Sequence, residues 1–446
     1  MYQLKLSCRV ITPLFMAGAD GRTPELRPSE IKGMMRWWWR AIKAEDDLEK
    51  LRREEAKIFG GTGRDEGKSK VWIRINNKKL NIGSNLKKEY QLNWKFDRDQ
   101  NTLEGPHRGI GYLLYSTLLP GKERAYIKSD SEFDIVIGAY DNEMLGQGLA
   151  SLWCAIFLGG FGSRSRRGGG NIKVIQNHTN CANLSFVVKG ENSKEVAEWI
   201  KQNFNKALRF INPNGIGKFT FSYSNLSFSR FIISKEGKNS WIEALNEIGE
   251  IYLSFRLKNR DKLLPTGVFG LPVIHRKGRV LSKFANEEFN RRSSPLIFKV
   301  IESESKYYWM VLRLFGEFLP EGGVLYFKDK DNNTKTQKPD YSLIDDFWNE
   351  LRQKGYECIL NTPDELKELV EKIKNQLNPK KIIFYGSRAR GDAYRKSDID
   401  IVVETDISIE NLTIINNADI VSLNKVSGEL KEKIQREGVL LYERKG

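Results

Sequence analysis

The chain has 446 residues, enough for two or three domains, each with its own core. Apolar content is 40% and charged content 29%. The longest apolar stretch, 152–158, is too short for a bilayer and residues 1–5 lack the apolar core of a signal peptide, so neither a membrane span nor a secretory signal is expected. The net charge is +16, yet residues 361–446 hold 15 Lys+Arg and 15 Asp+Glu, so the whole excess falls on residues 1–360. A basic body with a neutral tail fits a polyanionic partner, and nucleic acid above all. The four cysteines are scattered with no Cys-x-x-Cys, which points to a reducing cytoplasm and no zinc site, and only three histidines argue against a His-based metal site or triad.

Residues 3–11 alternate as a strand, with Leu4, Leu6, Cys8 and Val10 on one face. Residues 29–44 read as a helix with Ser29 as its N-cap. Lys32, Arg36 and Arg40 recur on it at i, i+4 and i+8, forming a basic stripe suited to RNA phosphates. Gly33 costs helix stability and would let a backbone or a phosphate approach. Trp37, Trp38 and Trp39 wrap more than half the helix, so core packing is their better reading. Asp20, in a glycine-containing turn, reads as structural. Residues 71–75 and 133–137 alternate as strands, 144–158 form an apolar helix, and 171–175 a closing strand. That order, β-α-β-β-α-β, is the ferredoxin-like or RRM-like layout. It sets a first domain at 1–180. Between the last helix and strand, six glycines at 159–170 flank Arg164, Arg166 and Arg167, a loop suited to lie on a sugar-phosphate backbone.

A second unit of the same kind is expected at 181–327. Its pattern is a strand at 184–188, an amphipathic helix at 193–208, and apolar runs at 251–257, 296–300 and 307–314. Residues 328–335 read as a solvated linker and 341–354 as a helix, so 328–360 is expected to connect the body to the tail.

The tail, 361–446, reads as a small α/β domain: a helix at 364–377, strands at 381–385, 398–403 and 418–421, a helix at 428–436 and a strand at 439–442. Gly386-Ser387 opens a turn directly after the first strand. Its backbone amides would hold a nucleotide's β and γ phosphates. Asp398 and Asp400 lie two apart on a strand and so share a face, and Asp419 sits on a neighbouring strand. Carboxylates crowded on one face suit a Mg2+ ion, which takes carboxylate and phosphate oxygens. Asp419 would bind metal or accept the proton of an attacking hydroxyl. Asp-x-Asp alone is common on half-exposed strands. The Gly-Ser turn and the third aspartate at this spacing make it specific.

These residues, Gly386-Ser387-Arg388-Ala389-Arg390-Gly391 and then Ser397-Asp398-Ile399-Asp400, resemble the minimal nucleotidyltransferases of the polymerase-beta superfamily over about 362–444. The resemblance implies nucleoside triphosphate binding at Gly386 and Ser387 and Mg2+ binding at Asp398, Asp400 and Asp419. The chain departs from that family in one respect: only 18 residues separate Asp400 from Asp419, where the family has a longer segment. The body resembles the RAMP proteins of CRISPR systems, and among them the first subunit of the type III-B Cmr effector complex. The markers are 12–20, 26–41, 55–60, the loop at 159–170 and Arg291-Arg292-Ser293-Ser294-Pro295. This implies an α+β chain of two tandem ferredoxin-like RAMP domains that bind the 3′ region of a CRISPR guide RNA, meet target RNA, and join other RAMP subunits. Two other readings remain open: a free-standing RNA-modifying nucleotidyltransferase, and a structural RNA-binding subunit with an inactive tail.

Overall fold

The computed structural model describes the chain except residues 65, 120, 122, 178–182, 276–277, 286, 330–333, 413–417 and 445–446. Cys181, His178 and the middle of the expected linker lie outside the described residues. The N-terminal unit is built from β1 (Tyr2–Val10), α1 (Pro28–Lys43), α2 (Leu48–Phe59), β2 (Val71–Lys79), β3 (Glu132–Ala139), α3 (Asn142–Phe157) and β4 (Ile172–Asn177). Its strands form one antiparallel sheet in the order β2-β3-β1-β4. Leu4, Leu6, Cys8 and Val10 all point into the core beside Trp38, Trp39 and Trp153, as their period-2 spacing requires. Trp37 is only half-buried. Ser29 is not the cap of α1. Arg27 holds that position without a side-chain cap bond, and Pro28 follows at the first helical position, where its fixed φ starts the helix.

A second sheet combines β5 (Asn225–Ser234), β6 (Leu296–Ser303), β7 (Lys306–Phe315) and β8 (Gly355–Asn361). Before it comes α4 (Ser193–Ile211), and within the unit lie α5 (Trp241–Lys258) and α6 (Ser342–Lys354). The strand order is β6-β7-β5-β8, again antiparallel. The expected borders at 181 and 327 are therefore corrected: this sheet begins at Asn225 and closes at Asn361. The helix and the strand after it, read as part of a connector, belong to the unit. Residues 184–188 are not a strand, although Leu184 and Phe186 are buried, and 251–257 lie inside α5. Val324–Asp329 pairs with Thr334–Gln337 where the linker was expected.

The physical reason is two-sided burial. Phe231 and Ile233 of β5 join the core of the first unit, while Ile232 joins a second core under α5 and α6. Every residue of β5 is buried, serines and Arg230 included, so the alternation of a half-exposed strand is missing.

The tail comprises α7 (Asp364–Leu377), β9 (Lys381–Tyr385), α8 (Gly386–Arg390), β10 (Ile399–Glu404), β11 (Ala418–Ser422), α9 (Gly428–Glu437) and β12 (Val439–Glu443). Its sheet order is β11-β10-β9-β12, with β10 and β11 parallel. Only Thr362 and Pro363 separate β8 from α7. The tail core is continuous with the body: Phe384 packs on Phe228 at 5.2 Å between ring centroids and on Phe219 at 5.9 Å. Among the described residues, no helix is long and apolar enough to cross a membrane.

Candidate nucleotidyl-transfer site and cationic surface

The tail sheet brings two of the three expected aspartates side by side. Asp400 and Asp419 are register partners on the parallel strands β10 and β11, and Asp398 lies just before β10. None of the three makes an ion pair or a side-chain hydrogen bond among the described residues. Burial, then Asp419, raises Asp400 to about 6, with Asp398 and Glu437 adding to the rise and Lys433 opposing it. Carboxylates at one register with no bonded cation fit a divalent metal ion by charge and donor type. Among the described residues, however, no three His, Cys, Asp or Glu side chains are grouped closely enough to hold a metal. Asp398 stays exposed at the mouth of the site.

Gly386 serves a purpose different from the expected one. Its φ is +77°, and a Cβ there would lie 1.9 Å from the Asp400 carboxylate, so the glycine makes room for the aspartate. Its amide does not face open space either: it donates to the buried Glu437 carboxylate at 3.1 Å. The same carboxylate takes Arg390 at 2.8 Å. Ser387 keeps its hydroxyl without a partner among the described residues.

The signature turn is gripped from the body. Arg230 of β5 and Arg313 of β7 are register partners and nearly fully buried. Arg230 donates to the Ala389 carbonyl at 3.2 Å and Arg313 donates to that of Arg390. Arg313 also pairs with buried Asp345 of α6 at 2.6 Å. The Tyr341 amide donates to Asp392 at 3.0 Å. At the far end of α9, Asn349 donates to the Arg436 carbonyl at 2.8 Å and Arg352 to that of Gly438 at 2.9 Å. No sequence signal pointed to Glu437 or to this grip, because the partners are distant in the chain.

The expected RNA-binding residues divide into two groups. On α1, Arg36 and Arg40 both bond the buried Glu55 of α2, the latter at 2.7 Å. Lys32 forms no ion pair among the described residues, and the space beside Gly33 is open. In the Gly-rich loop, Arg164 donates to Ser116 at 2.7 Å. Arg166 lies 4.8 Å over Trp37 and donates to the Ser294 carbonyl. Arg167 packs over the adjoining rings of Tyr252 and Phe298, at 4.9 and 5.0 Å, and donates to the Phe269 carbonyl. The loop thus lies on the second unit, and its glycines admit backbone: a Cβ on Gly162 would meet the Phe15 carbonyl at 2.6 Å. Arg256 and Arg292 adjoin the loop arginines. None of these five arginines forms an ion pair among the described residues. Burial first, then neighbouring arginines, lowers Arg164 and Arg166 to about 10. Sequence reasoning had marked Arg291-Arg292 only as part of a resemblance and had missed Arg256. Asp20 accepts from the Arg22 and Thr23 amides and holds its own turn.

The profile of the RAMP superfamily matches residues 7–173, and that of polymerase beta, nucleotidyltransferase, matches residues 367–446. CRISPR system Cmr subunit Cmr1-1 of Pyrococcus furiosus is 29% identical over 308 residues, covering 67% of this chain and 83% of that protein. Cmr subunit Cmr1-2 of the same organism is 35% identical over 188 residues, covering 39% of this chain and 96% of that protein. The crystal structure of Cmr1 from Pyrococcus furiosus in its apo form aligns over 81% of this chain and 99% of its own, at 23% identity and a TM-score of 0.54.

Proposed function

The chain belongs to the RAMP superfamily, as a first-subunit (Cmr1-type) protein of the type III-B CRISPR Cmr system with a nucleotidyltransferase domain appended; from that premise we propose that its body binds guide RNA and its tail transfers a nucleotide. The identical 2-3-1-4 strand order of the first two sheets supports reading them as tandem ferredoxin-like RAMP domains, at about 1–180 and 225–361. The cluster of Arg164, Arg166, Arg167, Arg256 and Arg292 carries the RNA reading. Five guanidinium groups without a bonded carboxylate favour a polyanion, and Lys32, which forms no ion pair among the described residues, extends the positive surface, while Arg36 and Arg40 share the single Glu55 carboxylate. The bound segment would be the 3′ region of the guide, with target RNA paired to it and other RAMP subunits alongside, in the cytoplasm.

Asp400 and Asp419 side by side carry the transferase reading. The pair would hold Mg2+ together with a phosphate oxygen of the substrate, and Asp398 would have to move in from its exposed position to join them; the ion when bound neutralises charge on the reacting phosphate. Ser387 would contact the nucleotide, while Gly386 gives Asp400 its room. The acceptor hydroxyl oxygen bonds to the α-phosphorus, the bond to pyrophosphate breaks, and the hydroxyl proton passes to a carboxylate of the set. The test is label transfer from each α-labelled nucleoside triphosphate with magnesium, using the intact chain with its co-purified RNA. Label on RNA or protein, lost in Asp398→Ala/Asp400→Ala, is the expected result and identifies the acceptor class. No label, with RNA still bound, leaves an RNA-binding subunit whose tail is inactive.

A further inference from the structure

A cleft of about 410 Å³ opens between the tail and the second sheet unit. Asp340 and Ser342, at the start of α6, line it from the body, and Ser387, Lys433 and Arg436 line it from the tail. The three aspartates do not line the cleft themselves, but Ser397 on its wall precedes Asp398 in sequence, Ser387 follows the glycine that makes room for Asp400, and Lys433 is near enough to act on the charge of Asp400. Most other charges on its walls already have partners. Arg390 is taken by Glu437 and Asp392, while Asp340 accepts from the Ser342 amide at 2.8 Å and keeps its negative charge, which Arg390 and Arg436 offset without a bonded pair among the described residues. Lys433 and Arg436 differ from these. They stand three apart on α9 and so share a face. Lys433 has only a 3.8 Å contact to Glu437 within its own helix and is 45% exposed. The Arg436 guanidinium forms no ion pair or hydrogen bond among the described residues. The body holds the end of the helix that carries both, through Asn349 and Arg352. The Gly386 amide is occupied, so side chains must take the place of a backbone cradle for phosphates.

We propose that this interdomain cleft binds the triphosphate of a nucleoside triphosphate, with Ser387, Lys433 and Arg436 as its ligands and the Ser342 end of α6 as its opposite wall. The proposal rests on the nucleotidyltransferase reading of the tail and adds to it that the RAMP body completes the substrate site. The docking of the tail then has a purpose: it fixes α9, and with it the two phosphate-binding cations, relative to the carboxylates.

The test is calorimetric titration of the full chain with inorganic tripolyphosphate and with each of the four nucleoside triphosphates, magnesium present. Arg436→Ala and Lys433→Ala each weaken binding about tenfold, the loss of one charge-assisted contact. Ser342→Glu sets a second carboxylate beside Asp340 on the body wall, at a first-turn position where an acidic residue suits a helix, and weakens binding about as much. Urea midpoints of the three variants confirm that each is folded. Three other outcomes overturn the proposal. If Arg436→Ala and Ser342→Glu bind as the parent does while label transfer proceeds, the transferase reading stands and the composite cleft falls. If the nucleotides bind but tripolyphosphate neither binds nor competes, the cleft does not hold the phosphates. If the parent chain binds none of the probes and transfers no label, both readings fall together.

Discussion

The body and the tail carry opposite unbalanced charges. In the body, five arginines around the Gly-rich loop crowd together with no carboxylate bonded to any of them, and two are pulled down to about 10. In the tail, two aspartates face each other across parallel strands with no cation bonded, and Asp400 is pushed up to about 6. The stripe on α1 is the internal control, since Arg36 and Arg40 close on Glu55. Basic residues that look alike in sequence are therefore not alike in availability. What decides is whether the fold delivers a counter-charge. Where it does, the pair is structural. Where it does not, the site favours a ligand of opposite sign: phosphate in the body, a divalent cation in the tail.

That contrast can be broken by substitution. The largest effect belongs to Arg167, packed over two adjoining rings and bonded to the Phe269 carbonyl. Arg167→Ala is expected to cost about 3 kcal/mol in urea unfolding, because it removes ring contacts, a hydrogen bond and side-chain volume together. A loss under about 0.5 kcal/mol would mean that the loop is not docked on the second unit. Next comes Glu55→Gln, which leaves two half-exposed arginines without their partner and costs about 2 kcal/mol. It also frees both cations, so RNA binding measured against salt becomes steeper. An unchanged slope would show that the α1 stripe does not face RNA.

Arg164→Ala separates binding from stability. Its guanidinium bonds one serine at the loop surface. RNA affinity is expected to fall about tenfold, and the salt slope by about 0.7, with little change in the urea midpoint. The smallest effect is on Asp400. Its folded value of about 6 lies above the ordinary 3.8, so the folded chain holds that proton more tightly than the unfolded chain does. The resulting stabilisation is complete below about pH 4 and is lost as pH rises through about 6. In metal-free buffer, Asp400→Asn is therefore expected to be about 1 kcal/mol more stable than the parent at pH 8. That gain should shrink as pH falls from 6 toward 4, read as the difference in Tm between the two proteins. A gain that is flat with pH would deny the crowding of the carboxylates.

Much of the fold was legible in the sequence, unevenly and for physical reasons. The first unit and the tail were readable because their strands alternate or end in marked turns. Leu4, Leu6, Cys8 and Val10 are a half-buried strand, and β9 of the tail runs from Lys381 to Tyr385, where it was expected. The second unit was misplaced because Asn225–Ser234 and Leu296–Ser303 are buried on both faces, serines, arginine and lysine with them. Periodicity reports contrast between a wet and a dry face, and these strands have no wet face. Of the candidate site, the aspartates could be found because two residues apart on a strand means one face.

The sequence by itself determined the family, the division of charge between a basic body and a neutral tail, and the side-by-side carboxylates, all of which rest on composition, local spacing and motifs. Only the tertiary structure decided which charges remain free. Glu55 neutralises a stripe from another helix, Glu437 takes the amide expected for phosphate, and Arg230 and Arg313 reach from the body to hold the turn of the tail. Each of these is a pairing over a long separation in sequence. Whether a charged side chain is available to a ligand depends on its neighbours in space, and local spacing carries no record of them.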